Sequence, residues 1–324
     1  MRISIVIPCF NEEDVLPITL PRLLGELSKL HDYAQEQPLL YLVDDGSSDN
    51  TWNIIDQASD DHSFVKGIKL SRNFGHQSAL LAGLKVAEGD AIISMDADLQ
   101  DDIEVIHKMV EEYQKGSEIV YAVRDDRDTD SAFKRQTASM FYKLMSLLGT
   151  NIVYNHADYR LLSRNAIEQL RNFGEVNLFL RGIIPLLGFQ STKVTYKRGA
   201  RAAGESKYPF RKMLALAIDG ITSFSVRPLR FVAGIGILFA FAAMIQLGWI
   251  FYVKFGLESA VPGWASTLIP ITFFGGVQLF CLGLVGEYIG KIYQETKRRP
   301  LFIIEKVKDK SLESMPNTQI KPRD

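Results

Sequence analysis

Cysteine is nearly absent from this sequence. The 324 residues include two, Cys9 and Cys281, 272 positions apart, so a disulfide framework and a cysteine-built zinc site are both excluded. The five histidines are scattered and show no HExxH spacing. Neither GxGxxG nor GxxxxGKS/T occurs, so the standard dinucleotide and P-loop phosphate sites are not expected. Neither sign of charge is in excess: 37 Lys and Arg stand against 38 Asp and Glu, a net charge of −1. A dedicated nucleic-acid binder would usually be clearly basic. The apolar run at 3–8 is short and has no cleavage site, so no signal peptide is expected. The bulk composition, 47% hydrophobic and 23% charged, excludes a disordered chain, a collagen-like fibre and a simple coiled coil.

The mean hydropathy of +0.01 averages two unlike parts. Up to about residue 210, charged and apolar residues are mixed as in soluble domains. Residues 231–253 and 264–286 then form two runs of 23 residues without a charge. A membrane helix needs about 20 apolar residues, so a transmembrane hairpin is expected at 229–290, with spans near 229–253 and 264–288. Basic residues flank it on both outer sides: Lys207, Arg211, Lys212, Arg227 and Arg230 before, and Lys291, Lys297, Arg298 and Arg299 after. The positive-inside rule then puts both termini and the large N-terminal part in the cytoplasm. Apolar residues recur at helical spacing over 208–228, which fits an interfacial amphipathic helix or a docking helix of the soluble part. Residues 291–324 read as a basic cytoplasmic tail, disordered from about 306 to 323.

Residues 1–207 read as alternating strands and helices. β-Branched and apolar runs at 3–8, 39–43, 65–70, 91–95 and 118–123 predict five strands. Helices are expected after Asn11 as a cap, from Thr51, over 77–87 and over 103–114. This order implies an α/β domain with a mainly parallel sheet, whose ligands bind at the carboxyl ends of the strands.

The acidic clusters fall at that edge. Asp96 and Asp98 follow a strand two positions apart, a spacing that lets both carboxylates face one ion. Two bare carboxylates about 4 Å apart repel by roughly 1–4 kcal/mol, a cost that a divalent cation removes. Mg²⁺ and Mn²⁺ prefer oxygen ligands and share them with phosphates, and Gln100 can add a carbonyl oxygen. Asp44 and Asp45 end another strand, where they can accept hydrogen bonds from a nucleobase or ribose, or form the turn with Gly46. Arg72 and Arg124 follow strands at the same edge and can meet phosphate, or serve as surface charges. His76 and His107 read as surface or loop residues.

Three segments together resemble the family 2 glycosyltransferases of GT-A fold: residues 5–13 (IVIPCFNEE), 43–51 (VDDGSSDNT) and 96–100 (DADLQ). Residues 71–75 (SRNFG), 201–208 (RAAGESKY) and 284–290 (LVGEYIG) narrow the resemblance to the polyprenyl-phosphate glycosyltransferases, with the two-span GtrB type the nearest picture and dolichol-phosphate mannose synthase a more distant one. The resemblance runs from about residue 2 to 303. It implies transfer of a single hexose, glucose from UDP-glucose before other donors, to a polyprenyl phosphate at the cytoplasmic membrane face, with inversion. It further implies that Asp96, Asp98 and Gln100 hold Mg²⁺ or Mn²⁺, that Pro8, Asn11, Glu12, Asp44, Asp45, Arg72, Asp96 and Arg124 line the nucleotide-sugar site, and that Asp158 and Asp98 serve catalysis. Asp158 falls where the family places an acid near the acceptor, although Ala157 precedes it where related sequences often have Gly. The acceptor phosphate is largely a dianion at pH 7, its second pKa lying near 6. Asp158 is therefore expected to orient more than to remove a proton.

Lys197, Arg198, Arg201, Ser206 and Lys207 lie just ahead of the membrane segment, where cations pair with an acceptor phosphate or with anionic lipid. The Q-x-x-R-W segment of processive polymer synthases is lacking. The pair Gly275-Gly276 allows close helix packing, so a homo-oligomer is expected, a tetramer being the guess. A sensing or scaffold subunit and a nucleotidyltransferase are the rival readings. The spans carry no buried ionisable pathway, and the basic membrane-proximal segment disfavours release of pyrophosphate.

Overall fold

A computed structural model describes residues 1–31, 33–98, 100–124, 156–175, 179–196, 227–256 and 263–310. They form two units: an α/β unit that also takes in the stretch after residue 298, and a helical unit.

The α/β unit is built on eight strands: β1 (Ile3–Cys9), β2 (Leu39–Asp44), β3 (Val65–Leu70), β4 (Ala91–Ser94), β5 (Ile119–Arg124), β6 (His156–Ser163), β7 (Ser191–Tyr196) and β8 (Ile304–Lys308). They form one sheet in the order β7-β5-β6-β4-β1-β2-β3-β8. The core β4-β1-β2-β3 is parallel, and β5 and β7 share its direction. β6 and β8 run antiparallel to their neighbours. The expected mainly parallel α/β sheet is thus present. β1 is buried along its whole length, the mark of a strand covered on both faces.

Helices α1 (Leu16–Leu30), α2 (Thr51–Asp61), α3 (His76–Val86) and α4 (Val105–Gln114) follow β1 to β4, and α5 (Arg164–Arg171) and α6 (Leu180–Leu186) follow β6. α1 buries Leu16, Leu20, Leu23, Leu27 and Leu30, spaced four and three apart. α3 lies directly on the sheet because Gly83 has no side chain: a Cβ there would come within 2.3 Å of Val6 and 2.8 Å of Val43. That close seat fixes the start of α3, His76 and Gln77, at the carboxyl edge of the sheet.

Two expectations need correction. Asn11 does not cap the first helix, which begins at Leu16 after Val15. Asn11 instead takes a left-handed backbone (φ 54°) and commits its side chain to the loop after β2. The segment after 291 is not a disordered tail throughout. Ile304–Lys308 forms β8, pairing Ile68 with Val307 and Gly67 with Lys308. Acids on α2 and buried Lys66 on β3 give this lysine-rich strand its partners: Lys308 meets Asp60 at 2.9 Å, Lys306 meets Asp56 at 3.4 Å, and Lys66 pairs with Asp309 just after the strand.

The helical unit consists of α7 (Arg227–Gly256) and α8 (Trp264–Lys297). They meet through Phe239, whose ring stands edge-on to Phe273 and Phe274 at 5.7 and 5.4 Å. Among the described residues one stretch, Phe273–Lys297, is long and apolar enough to cross a membrane, where two were expected. The expected interfacial helix at 208–228 lies outside the described residues, apart from its last two positions, which open α7.

Candidate active site

Two loops at the carboxyl edge are laced together. Asn11 Oδ1 accepts from the Ser48 N–H (2.9 Å), and the Asn11 N–H donates to Ser47 Oγ (3.0 Å). The Glu12 N–H donates to Thr51 Oγ1 at 2.8 Å. Asn11 and Glu12 therefore join the loop after β1 to the loop after β2, one strand over. Pro8 is buried in β1 beside Val43.

Asp44 and Asp45 have divergent roles. Both Asp45 oxygens are occupied by backbone, accepting from the N–H groups of Phe74 (2.8 Å) and Gly75 (2.9 Å). Asp45 thus fixes the 71–75 loop. Gly46 makes the approach possible: its φ is +66°, and a Cβ would fall 2.3 Å from the Arg72 carbonyl carbon. Asp44 Oδ1 accepts from the Ser47 N–H (3.1 Å), while its buried Oδ2 accepts no hydrogen bond among the described residues. Burial pushes the Asp44 carboxyl up from its ordinary value. An ionised Asp44 therefore lacks a donor, which is what a ligand N–H or hydroxyl supplies. Arg72 stays local, donating to its neighbour's carbonyl Asn73 O (3.0 Å) with its guanidinium 4.0 Å over the Phe74 ring.

β4 ends at Ser94, so Asp96 and Asp98 lie beyond the pleat that was to align them. Asp98 Oδ1 turns back to accept from the Gln100 N–H at 3.2 Å, and Gln100 is buried. Asp96 approaches the start of α3. Its Oδ1 lies 3.5 Å from His76 Nε2 and, although that atom is buried, accepts no hydrogen bond. Burial first, then the neighbouring acids Asp158, Asp101 and Asp98, outweigh His76 and push the Asp96 carboxyl up to about 6. A part-exposed carboxylate with one buried oxygen that accepts no hydrogen bond fits a cation-binding role. Among the described residues no group of three His, Cys, Asp or Glu side chains forms a ready metal cage.

Asp158 on β6 is the most heavily bonded group of the site. Oδ1 receives Arg160 Nη2 and Arg181 Nε (3.3 Å). Oδ2 receives Arg181 Nη2 (3.0 Å) and Gln77 Nε2 (3.2 Å), with His76 Nε2 at 3.6 Å. Burial works against its ionisation, but Arg160, His76 and Arg181 prevail and hold the carboxyl well below the usual carboxylate range. Burial also opposes a charge on His76, yet its contacts with Asp158 and Asp96 raise its pKa.

The structure thus gathers Asp96 and Asp158 around His76, and separately gathers Pro8, Asn11, Glu12, Asp44 and Asp45. Arg124 closes β5, paired in register with Tyr196. Lys197, Arg198, Arg201, Ser206 and Lys207 lie outside the described residues. Sequence reasoning missed Gln77, Arg160 and Arg181; His76 is exposed as expected, but its ring lies between Asp96 and Asp158. The signals were present but faint: His76 and Gln77 follow the SRNFG segment, and Arg160 stands two positions from Asp158.

Comparison with known proteins gives consistent matches. Residues 4–171 match the family described as Glycosyl transferase family 2, and residues 227–292 match the one described as GtrB C-terminal hairpin. The chain is 48% identical over 309 residues to "Uncharacterized glycosyltransferase YkoT" of Bacillus subtilis (strain 168), covering 94% of this chain and 91% of that relative. It is 42% identical over 311 residues to the "Bactoprenol glucosyl transferase" of Shigella phage SfV, covering 96% and 100% respectively. Among solved structures, mannosyl-3-phosphoglycerate synthase from Rubrobacter xylanophilus covers 71% of this chain and 74% of its own, at 16% identity and a TM-score of 0.48.

Proposed function

The chain belongs to glycosyltransferase family 2, and from that premise we propose that it transfers one glucose from UDP-glucose to a polyprenyl phosphate at the cytoplasmic face of a membrane. The observation that carries this reading is the extent of the likeness to the bactoprenol glucosyl transferase, which takes in 96% of the chain. The match to the GtrB hairpin over 227–292 supports the same reading for the helical unit. α7 and α8 are read as two membrane spans joined outside the cytoplasm, and the α/β sheet as the family's GT-A arrangement.

The chemistry follows from the groups at the sheet edge. The orphaned Asp44 oxygen would accept from the nucleobase or ribose, within a pocket framed by Pro8, Asn11 and Glu12. Arg72 and Arg124 supply positive charge beside the diphosphate. Asp96 and Asp98, with Gln100, would hold Mg²⁺ or Mn²⁺, which when bound neutralises charge on the leaving diphosphate. An oxygen of the acceptor phosphate attacks the anomeric carbon from the face opposite the diphosphate. The bond from that carbon to the diphosphate oxygen breaks, UDP leaves with the electron pair, and the configuration inverts. The nucleophile is already an anion, so no proton need be removed from it. Lys197, Arg198, Arg201, Ser206 and Lys207 would hold the lipid phosphate close to the membrane.

A donor panel tests this reading. Purified protein is given labelled UDP-glucose, GDP-mannose, UDP-GlcNAc or a UDP-aminoarabinose derivative, each with polyprenyl phosphate and divalent metal. Label entering the lipid phase from UDP-glucose, and lost in Asp96→Ala, is expected. Transfer from another donor alone would move the sugar assignment. Metal-dependent nucleotide binding without transfer from any donor would favour a sensing subunit instead.

A further inference from the structure

The acid that the family resemblance singles out is not available to a substrate. A carboxylate offers about four lone-pair sites, and at Asp158 all four are used: Arg160 Nη2 and Arg181 Nε on one oxygen, Arg181 Nη2 and Gln77 Nε2 on the other. Two guanidinium groups, those of Arg160 and Arg181, serve this one carboxylate, and Asp96, 3.5 Å from His76, is the second acid of the cluster. Its members differ in accessibility. The side chains of Asp158 and Arg160 are 5% and 1% exposed, and those of Arg181 and His76 are 37% and 44% exposed. A ligand reaching this cluster therefore meets Arg181 and His76.

We propose that Arg181 and His76 form an anion clamp for a phosphoryl group, that of the lipid acceptor, and that Asp158 acts as the buried anchor aiming it. The planar fork of an arginine suits phosphate oxygens. Asp158 fixes one edge of that fork through paired bonds at 3.3 and 3.0 Å. Gln77 fixes the other end of the arrangement: its amide donates to Asp158 while its Oε1 accepts from the Leu180 N–H (3.1 Å), one residue before Arg181. The helix carrying Arg181 and the helix carrying His76 are thus locked to one carboxylate. His76 Nε2 also lies 3.5 Å from Asp96 Oδ1. The clamp therefore adjoins the acid assigned to the donor's diphosphate, where the attacking phosphate must arrive. Arg181 and His76 are the groups that touch substrate, and Asp158, Arg160 and Gln77 are positioning residues.

The inference rests on the proposed transfer reaction and is tested with the full chain in lipid nanodiscs. Steady-state transfer gives separate KM values for donor and acceptor. Two binding measurements without turnover accompany it: UDP with Mn²⁺, and a short-chain polyprenyl phosphate with no donor. Arg181→Gln is expected to raise the acceptor KM and weaken prenyl-phosphate binding by about ten- to hundredfold, the weight of one charge-assisted hydrogen bond, with UDP binding held within about twofold. Arg181→Lys, which keeps the charge and loses the fork, should fall between. It carries the test should the Gln variant fail to fold. UDP binding that weakens as much as prenyl-phosphate binding would assign the clamp to the donor's diphosphate and overturn the proposal. Unchanged acceptor KM and binding would also overturn it. Wild-type protein that transfers nothing defeats the functional reading instead, and the clamp then stands or falls on the Arg181 dependence of prenyl-phosphate binding alone.

Discussion

Asp158 falls where the family resemblance implies an acid near the acceptor, but Arg160, Arg181, Gln77 and His76 leave it a poor proton acceptor. Asp158→Asn should therefore lower turnover at saturating acceptor by less than about a hundredfold, the lower range of what general-base catalysis supplies. The pH–rate curve should keep its shape, and the acceptor KM should rise. The same residue makes a stability prediction. Its carboxyl is held below the unfolded value, so its contribution is fully present above about pH 4 and is lost as pH falls through the folded value. The gap in melting temperature between wild type and Asp158→Asn should stay constant near neutrality and close in acid. A gap that opened only at alkaline pH would contradict this. Asp96 has the opposite balance, a part-exposed carboxylate pushed up to about 6, one buried oxygen of which accepts no hydrogen bond. Metal-free Asp96→Asn should melt higher than metal-free wild type, by about 1–2 kcal/mol after allowance for partial exposure. It should also lose metal-dependent UDP binding, measured by calorimetry.

Among the elements, β8 is the strongest test of the fold. It returns the chain from the helical unit to the edge of the sheet, where Lys66, 7% exposed, pairs with Asp309. Asp309→Ala should destabilise the α/β unit by about 2–3 kcal/mol, somewhat less than breaking a fully buried pair, as read by thermal melting. Strands β1 to β5 were legible in the sequence because each is an apolar, β-branched run bounded by turn residues. β6 was not, because Asp158 and Arg160 place a buried ion pair inside it, and such a pattern reads as a loop. β7 buries only Val194 and Tyr196. β8 carries three charged residues, Glu305, Lys306 and Lys308, against two apolar ones, and its partners, Asp56 and Asp60, lie some 250 residues away. The site divides along the same line. Asp44, Asp96 and Asp158 could be found from motifs and strand ends. The roles of His76, Gln77 and Arg181 could not, since they arise only where α3, β6 and α6 converge. Asn11 was misread because a helix cap and a loop-to-loop bond call for the same residue type.

For the whole molecule, the account requires the α/β unit and both chain ends to lie on one side of a membrane, with the α7–α8 connector on the other. Cys9 is buried and Cys281 is part-exposed, so engineered thiols are read in a Cys281→Ser background. In intact cells a membrane-impermeant maleimide should label Ser259→Cys in the connector, and should label Ser311→Cys only after permeabilisation. Equal labelling of both before permeabilisation would contradict the hairpin. The most direct test of the central claim is mass and anomeric analysis of the lipid made by purified protein from UDP-glucose, polyprenyl phosphate and Mg²⁺. The account predicts a polyprenyl phosphate carrying one hexose, inverted relative to the donor, and no such product from Asp96→Ala. A lipid bearing several hexoses, a retained configuration, or release of pyrophosphate in place of UDP would contradict it.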